Sequence, residues 1–202
     1  MDSKKLLLLA IVLLLAYTGW QDWKHRPVDD PPPGVLAPDA PQQRPLTQPR
    51  QFRLDGYDIE AQARYKFVAR LLSREPYYMG READLSPVDF AIGWGPMSDS
   101  AVLKQLDISQ SVRYFSLHWQ RPPLPAEEIM RHAANTHIIP ADSRVAGQLD
   151  KMRPGQVIEL EGYLVNVAAP DGWRWHTSLT REDTGNGACE LFWVEVARII
   201  NQ

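Results

Sequence analysis

The chain has very little cysteine: Cys189 is the only one among its 202 residues. A single cysteine excludes an intramolecular disulfide and any metal site built from several thiolates. In an oxidising compartment a lone thiol is either buried and unreactive or a liability. Leu191 and Trp193 follow it on a predicted strand. We therefore expect Cys189 to be a small buried residue.

An excess of positive charge is also missing, since 22 Lys and Arg stand against 25 Asp and Glu and the formal net charge is −3. Such a chain has no global positive field that would attract nucleic acid or anionic lipid. It also lacks a glycine-rich phosphate loop and a stripe of alternating basic and aromatic residues. We expect no nucleic-acid partner and no cofactor.

The spacings typical of metal sites and of aspartic proteases are absent too. His132 and His137 are five residues apart, whereas a zinc pair on one helix face is four apart. The polar residues at 182–190 do not follow the spacing of a calcium-binding EF-hand loop. Asp183 opens an Asp-Thr-Gly tripeptide, but a single copy in a polar stretch is more typical of a hairpin loop than of a protease. The sequence therefore predicts no metal site and no aspartic protease.

A long apolar run near the N-terminus is the most informative stretch of the chain. It begins at Leu6 and reaches Trp23, 18 residues that as a helix would span about 27 Å, near the lower limit for crossing a hydrocarbon core. Trp20 and Trp23 stand at its far end, where indole rings favour the headgroup region. The alternative is a cleaved signal peptide, but no small-x-small cleavage site follows the run. We interpret residues 6–23 as an uncleaved membrane anchor.

The charges that flank the run do little to determine its orientation. Lys4 and Lys5 precede it and Lys24 and Arg26 follow it, so the positive charges are nearly balanced. A tail of only five residues is easily retained inside while the rest of the chain crosses. We expect a single-pass protein of the inner (cytoplasmic) membrane with its C-terminal domain outside the cytoplasm.

Proline marks the segment between the anchor and the domain, since eight prolines lie between Pro27 and Pro49. Such composition favours an extended, semi-rigid spacer. The sequence thus predicts four parts: a short cytoplasmic tail at 1–5, the anchor at 6–23, a proline-rich linker at 24–50 and one domain at 51–202.

Within the domain, hydrophobic periodicity predicts α+β structure, with helices mainly in the first half. Predicted helices are at 58–75, a short one starting at Ser86-Pro87, one capped by Ser98 or Asp99, one at 126–134, and one capped by Asp142. Extended segments are predicted at 112–119 and 135–140, and strands at 157–167, 173–179 and 189–200. The last three strands would form an antiparallel meander that can curl into a small open barrel.

Three motifs together resemble a family of uncharacterised bacterial proteins that carry an N-terminal membrane segment. They are GWGPMSD at 93–99, NTHIIPA at 135–141 and SLTREDTGNGACE at 178–190. The resemblance covers residues 52–196 and implies one intact bacterial domain. It implies no activity.

The expected function is a membrane-anchored binding or assembly module of the bacterial envelope, with an envelope protein or a glycan as partner. We expect the loop 180–188 and the junction 135–137 to rim one concave binding site, because loops on a rigid scaffold often carry function. Its predicted residues are Asn135, His137, Arg181, Asp183 and Asn186. Trp173 and Trp175 share one strand face, and core packing is preferred to a sugar-binding role for them. The alternative is an envelope-acting hydrolase that uses His137 with Asp183, Cys189 or both.

Overall fold

Long β-strands dominate the molecule, whose computed structural model describes residues 3–180 and 189–201. The helices are α1 (Ser3–Lys24), α2 (Arg81–Leu85), α3 (Ser100–Leu103), α4 (Ala126–Arg131) and α5 (Ser143–Leu149), with a 3-10 turn at Gly95–Ser98. The strands are β1 (Gln42–Pro45), β2 (Gln51–Leu54), β3 (Tyr57–Pro76), β4 (Val88–Gly93), β5 (Asp107–Ser111), β6 (Tyr114–His118), β7 (Ala133–Pro140), β8 (Val157–Ala168), β9 (Arg174–Trp175) and β10 (Glu190–Asn201). The class is α+β as predicted, with the longest helix at the N-terminus and a large β-sheet beyond it.

Five of the strands pair in a closed ring. β3 pairs with β4, β4 with β7 and β10 with β8, all antiparallel, whereas β7 and β10 run parallel. The ring is closed by the antiparallel ladder between β3 and β8, which runs from Asp58 to Arg70 on the β3 side. Each of these five strands therefore pairs with two neighbours in the ring.

The 20-residue strand β3 replaces the helix that we expected at 58–75, and that prediction is wrong. Every second residue from Ile59 to Leu71 is apolar and buried: Ile59, Ala61, Ala63, Tyr65, Phe67, Ala69 and Leu71. The expected helical stripe included Ala61 and Tyr65, which are four apart and fit both periods. Pairing with β8 along one edge settles the conflict in favour of the strand, as tertiary context often does.

The helix expected from Ser86-Pro87 is also wrong, because Val88–Gly93 forms strand β4. All six of its residues are buried, and it pairs with β3 on one side and β7 on the other. Its fully buried environment leaves no polar face, so no amphipathic alternation marks the strand in the sequence. Asp89, expected in a helical first turn, lies instead in the middle of this sheet.

The three-stranded meander is not confirmed. β9 has only two residues and pairs with the end of β8, while β10 lies between β8 and β7. Gly162 of β8 faces the bulge in β10 that follows Val194, where a Cβ atom would collide with the carbonyl of Trp193. A glycine inside a strand often marks such a bulge or bend, so Gly162 is a local sequence signal for this irregular ladder.

Two helix caps follow the sequence prediction. Asp142 Oδ1 accepts a hydrogen bond of 2.7 Å from the backbone N–H of Val145 at the start of α5. Asp99 Oδ1 accepts one of 2.8 Å from Ala101 at the start of α3. Both carboxylates satisfy backbone donors that lack a partner inside the helix.

Two apolar clusters lie on opposite faces of the sheet. One fills the ring and includes Phe67, Phe90, Ile138 and Phe192. The other covers the outer face and includes Ile139, Leu191 and Trp193, with Trp173 and Trp175 packed against it as partly buried side chains. The outer face of β7 and β10 is therefore covered by other parts of the chain rather than by solvent.

The segment expected as a free spacer packs on the barrel. Ser98 Oγ accepts hydrogen bonds of 3.0 Å from the backbone N–H groups of both Leu36 and Ala37. Ala37 is fully buried, and β1 adds to the edge of β3. These contacts were not expected of a proline-rich spacer. They form because the folded domain supplies hydrogen-bond partners for the backbone groups of this segment.

Helix α1 is long and apolar enough to cross a membrane, and none of its described residues is buried by the rest of the chain. Its C-terminal end contacts α5, because Lys24 Nζ forms an ion pair with Asp150. His25 Nε2, one residue beyond the helix, lies 3.1 Å from Asp150 Oδ1. The apolar helix is therefore attached to the barrel at one defined point.

Candidate functional site

A buried polar cluster lies on the outer face of the barrel, where β4 and β7 pair. Asp89 and His137 are direct cross-strand partners in this ladder. Their side chains are almost inaccessible, since Asp89 is 0% and His137 5% exposed. Charged groups are rarely found at such burial unless they are paired. The ladder therefore fixes a carboxylate and an imidazole side by side, away from water.

The partner of Asp89 comes from the turn between β5 and β6. Arg113 Nη1 donates a hydrogen bond of 2.6 Å to Asp89 Oδ1, and Nη2 donates one of 2.8 Å to the carbonyl of Ser86. The guanidinium also lies 3.7 Å from the centre of the Tyr77 ring. This combination of an ion pair, a backbone bond and a cation–π contact holds the hairpin against β4.

The turn that presents Arg113 has an unusual backbone. Val112 and Arg113 have φ of 50° and 68°, the left-handed conformation that two-residue hairpin turns often require. Glycine or asparagine is usual there, and a β-branched residue such as Val112 is an outlier. Backbone of this kind costs on the order of 1–3 kcal/mol per residue and persists only where surrounding contacts impose it. Here the two-residue turn between β5 and β6 requires it, and the contacts of Arg113 with Asp89 and Tyr77 help to hold it.

His137 stands at the centre of the cluster. Its Nδ1 is 2.9 Å from Asp89 Oδ2, an ion-pair distance without the alignment of a good hydrogen bond. Its ring lies 5.1 Å from that of Trp175. Burial lowers the pKa of His137, but Asp89 and Cys189 raise it more, so that the pKa rises from 6.5 to about 9. At neutral pH the cluster therefore holds an imidazolium between a carboxylate and a thiol.

Cys189 and Asn135 complete the cluster. Asn135 Nδ2 lies 3.4 Å from Cys189 Sγ and donates a hydrogen bond of 3.0 Å to the carbonyl of Arg113. Gln110 Nε2 in turn donates a hydrogen bond of 2.7 Å to Asn135 Oδ1. Cys189 is partly buried, where full burial was the expectation. The thiol thus lies at the edge of the cluster rather than in the apolar core.

The structure brings together three of the residues that the sequence singled out, namely Asn135, His137 and Cys189. Arg181, Asp183 and Asn186 lie outside the described residues, so the predicted rim formed by their loop stays a prediction. The loop begins next to the cluster, because the N–H of Ser178 donates a hydrogen bond of 3.1 Å to the carbonyl of Cys189.

Sequence reasoning missed Asp89 and Arg113. Asp89 had a detectable signal, since a lone carboxylate within the buried apolar run at 88–93 needs a partner. Arg113 had no such signal, because the spacing of residues does not reveal that a hairpin tip contacts Asp89 on a strand 24 positions away. The carboxylate next to His137 is therefore Asp89, on the paired strand.

An open groove of about 440 Å³ lies between β2, β3, β8 and the β9 region. Its lining is polar and apolar in equal parts, and its polar residues include Asp58, Glu60, Asn166, Arg174 and His176. Phe52 contributes an aromatic ring to it. This surface offers hydrogen-bond donors, acceptors and charges of both signs to a ligand of moderate size.

Neither a family model nor a curated protein nor a solved structure matches the chain. In the part of the chain that the structure describes, no group of three or more His, Cys, Asp or Glu side chains is placed to hold a metal ion.

The raised pKa of His137 predicts a pH-dependent stability. The folded protein binds a proton at His137 up to a pH of about 9, whereas the unfolded chain releases it near 6.5. The stabilisation by His137 is therefore complete below pH 6.5 and is lost as the pH rises through about 9. The free energy of unfolding of the wild-type protein, relative to that of His137→Gln, should fall over this range by on the order of 3 kcal/mol.

Urea unfolding at a series of pH values measures this difference. His118→Gln, which removes an exposed imidazole from β6, is the matched control. A gap between wild type and His137→Gln that stays constant from pH 6 to pH 10 would show that His137 does not gain a proton on folding.

Proposed function

We propose that the protein is a binding or assembly module that α1 anchors in the cytoplasmic membrane, with the barrel outside the cytoplasm. The observation that carries this proposal is α1: 22 residues, apolar, and unburied over its described length. A helix of this length and composition satisfies its own backbone groups and suits a bilayer. The ion pair of Lys24 with Asp150 supports a barrel held close to the membrane surface.

The topology of the barrel supports a binding role. The ring order is β3-β4-β7-β10-β8, with one parallel pair, and α5 lies between β7 and β8 along the chain. This is the arrangement of an OB barrel. Barrels of this class bind oligosaccharides and oligonucleotides on the outer face of their second and third strands and on adjoining loops. The open groove of this chain lies at β3 and β8 rather than on β4 and β7, so the fold supports a binding role only by analogy and the ligand has to be inferred from the surface itself.

The chemistry of the open groove favours a glycan over a nucleic acid. Asp58 and Glu60 would repel phosphates, while Asn166, Arg174 and His176 can donate hydrogen bonds to hydroxyl and amide groups. Tyr57 and Trp173 lie just beyond, with ring centres 6.0 Å apart. We infer that the groove takes an oligosaccharide or another polar envelope ligand rich in hydroxyl groups.

The closed state of the polar cluster favours binding over catalysis. Asp89, Asn135 and His137 are between 0% and 6% exposed, so a substrate cannot reach them directly. Arg113 already neutralises Asp89 through a 2.6 Å hydrogen bond. The main role of the cluster is therefore to hold the β5–β6 hairpin against the barrel.

The membrane part of the proposal predicts a definite topology. Alkaline phosphatase fused after Gln202 should be active, and a fluorescent protein at the same place should be dark, because only the former folds outside the cytoplasm. The fusion should stay in the membrane fraction after washing with alkaline carbonate. Strong fluorescence without phosphatase activity would reverse the orientation, and a soluble product lacking its first 20 residues would show a cleaved signal peptide instead.

The binding part predicts that N-acetylhexosamine tetrasaccharides bind the full-length protein in nanodiscs, with saturable shifts of the NMR signals of Asn166 and His176. His176→Ala removes a groove side chain and should weaken binding by about fivefold, the worth of one hydrogen bond. His118→Ala, which removes an exposed histidine that does not line the groove, should leave the affinity unchanged. Equal effects of the two substitutions, or no saturable shift, would contradict the glycan proposal.

A second candidate function is a thiol hydrolase, favoured by the 2.9 Å contact between Asp89 Oδ2 and His137 Nδ1. In this proposal Cys189 is the nucleophile, His137 holds the proton of its thiol as an imidazolium, and Asp89 orients the imidazole, in place of the expected Asp183.

This hydrolase predicts that iodoacetamide alkylates Cys189 faster in the folded protein than in the protein unfolded in urea, because His137 would activate the thiol. His137→Gln should slow the folded reaction at least tenfold, in line with the typical contribution of a general base. Circular dichroism checks that the variant is folded. A thiol that reacts more slowly in the folded protein would exclude the hydrolase and leave the binding module.

A further inference from the structure

A single carboxylate joins the membrane helix to the end of β3. Asp150 pairs with Lys24 of α1 and with His25, and Arg74 Nη2 of β3 lies 3.7 Å from its Oδ1. Burial raises the pKa of Asp150. Its bonds to Lys24 and His25 lower that pKa by more, so it lies below the ordinary value. β3 ends two residues after Arg74, at Pro76. The loop that follows, residues 77–80, is therefore held beside the C-terminal end of α1.

This loop presents two exposed apolar side chains. Tyr78 is 70% exposed, and Met79, at 90%, has the largest exposed fraction of the large apolar side chains in the described part of the chain. Single exposed apolar residues are ordinary, but two adjacent ones near the aromatic end of an apolar helix mark a candidate interaction surface.

The loop has a fixed base. The N–H of Tyr77 donates a hydrogen bond of 2.9 Å to the carbonyl of Pro87, and its hydroxyl accepts one of 2.8 Å from the N–H of Arg113. Tyr77 also stacks on the Arg113 guanidinium. Arg113, which also binds Asp89 in the buried polar cluster, thus holds Tyr77 in place. Tyr78 and Met79 follow Tyr77 and are exposed.

The aromatic end of α1 sets the depth at which this loop lies. Tyr17, Trp20 and Trp23 are all at least half exposed on the helix, as expected for side chains at a membrane–water interface. The contacts of Asp150 with Lys24 and Arg74 place the loop 77–80 at this aromatic end of α1.

We propose that Tyr78 and Met79 enter the interfacial layer of the bilayer that α1 crosses, so that the barrel contacts the membrane at a second point. The proposal rests on the membrane anchoring proposed above. Lipid is the occupant that the geometry favours, because the two side chains adjoin the part of α1 that already faces headgroups. Tyrosine and methionine suit this layer, the first through its polar hydroxyl on an apolar ring and the second through its flexible apolar chain.

Depth-dependent fluorescence quenching in nanodiscs tests this contact on the full-length protein. In a Cys189→Ser background, Met79→Cys is labelled with an environment-sensitive dye, and nitroxides are placed on lipids either near the headgroup or deep in the acyl chain. Val12→Cys reports the anchor itself. Met130→Cys, from an exposed methionine on α4, is the matched control.

We expect the dye at 79 to shift to the blue and to be quenched more by headgroup nitroxides than by deep ones, while the dye at 130 is quenched by neither. Quenching at 12 without quenching at 79 would overturn the second contact and leave the anchor in place. Quenching at neither 12 nor 79 would overturn the anchor, and the loop contact with it. Equal quenching at 79 and 130 would show non-specific adsorption of the barrel and would also overturn the proposal.

Discussion

The ladder between β3 and β8 is the constraint on which the rest of the structure depends. It pairs residues 58–70 of β3 with 157–168 of β8 and thereby closes the ring. Closure forces alternate side chains of each strand to opposite faces, so that one apolar set fills the ring and the other needs a cover from outside. The β2–β3 hairpin and the Trp173–Trp175 region supply part of that cover, and the polar cluster lies where β4 and β7 meet the β5–β6 hairpin.

Burial of Asp89 explains why that hairpin is where it is. A carboxylate at 0% exposure is tolerated only with partners, and Arg113 and His137 supply them from two different elements. Removing Asp89 would leave the two cations side by side without their carboxylate, so the three side chains behave as one unit. The same unit determines the backbone strain at Val112 and Arg113 and the position of Tyr77. A local electrostatic requirement thus organises loops that are far apart in the sequence.

Two charged contacts join the N-terminal region to the barrel. Asp150 collects Lys24, His25 and Arg74 at one end of the barrel. Arg70, buried in β3, pairs with Asp30 of the proline-rich segment at 2.6 Å and donates a hydrogen bond of 2.8 Å to Ser100 Oγ. These contacts give the C-terminal end of α1 and the proline-rich segment defined positions against the barrel.

The sequence by itself determined the features that depend on local chemistry. The apolar run at 6–23, the caps at Asp99 and Asp142, the helix after Pro125, the strands at 157–167 and 189–200 and the bend at Gly162 all follow from composition, capping and turn rules that act over a few residues. Part of the polar cluster could also be predicted from the sequence, since His137, Asn135 and Cys189 stood out as polar or reactive residues beside predicted strands.

The remaining features follow only from the tertiary structure. The apolar residues of segment 58–75 fit both a helical period and a strand period, and only the pairing with β8 makes the segment a strand. The partnership of Asp89, Arg113 and His137 joins three elements through the closed ring, and the contacts of segment 24–50 depend on Ser98 and Arg70. These are non-local contacts, whose energies appear only once the barrel brings distant residues within bonding distance, so no pattern of neighbouring residues can encode them.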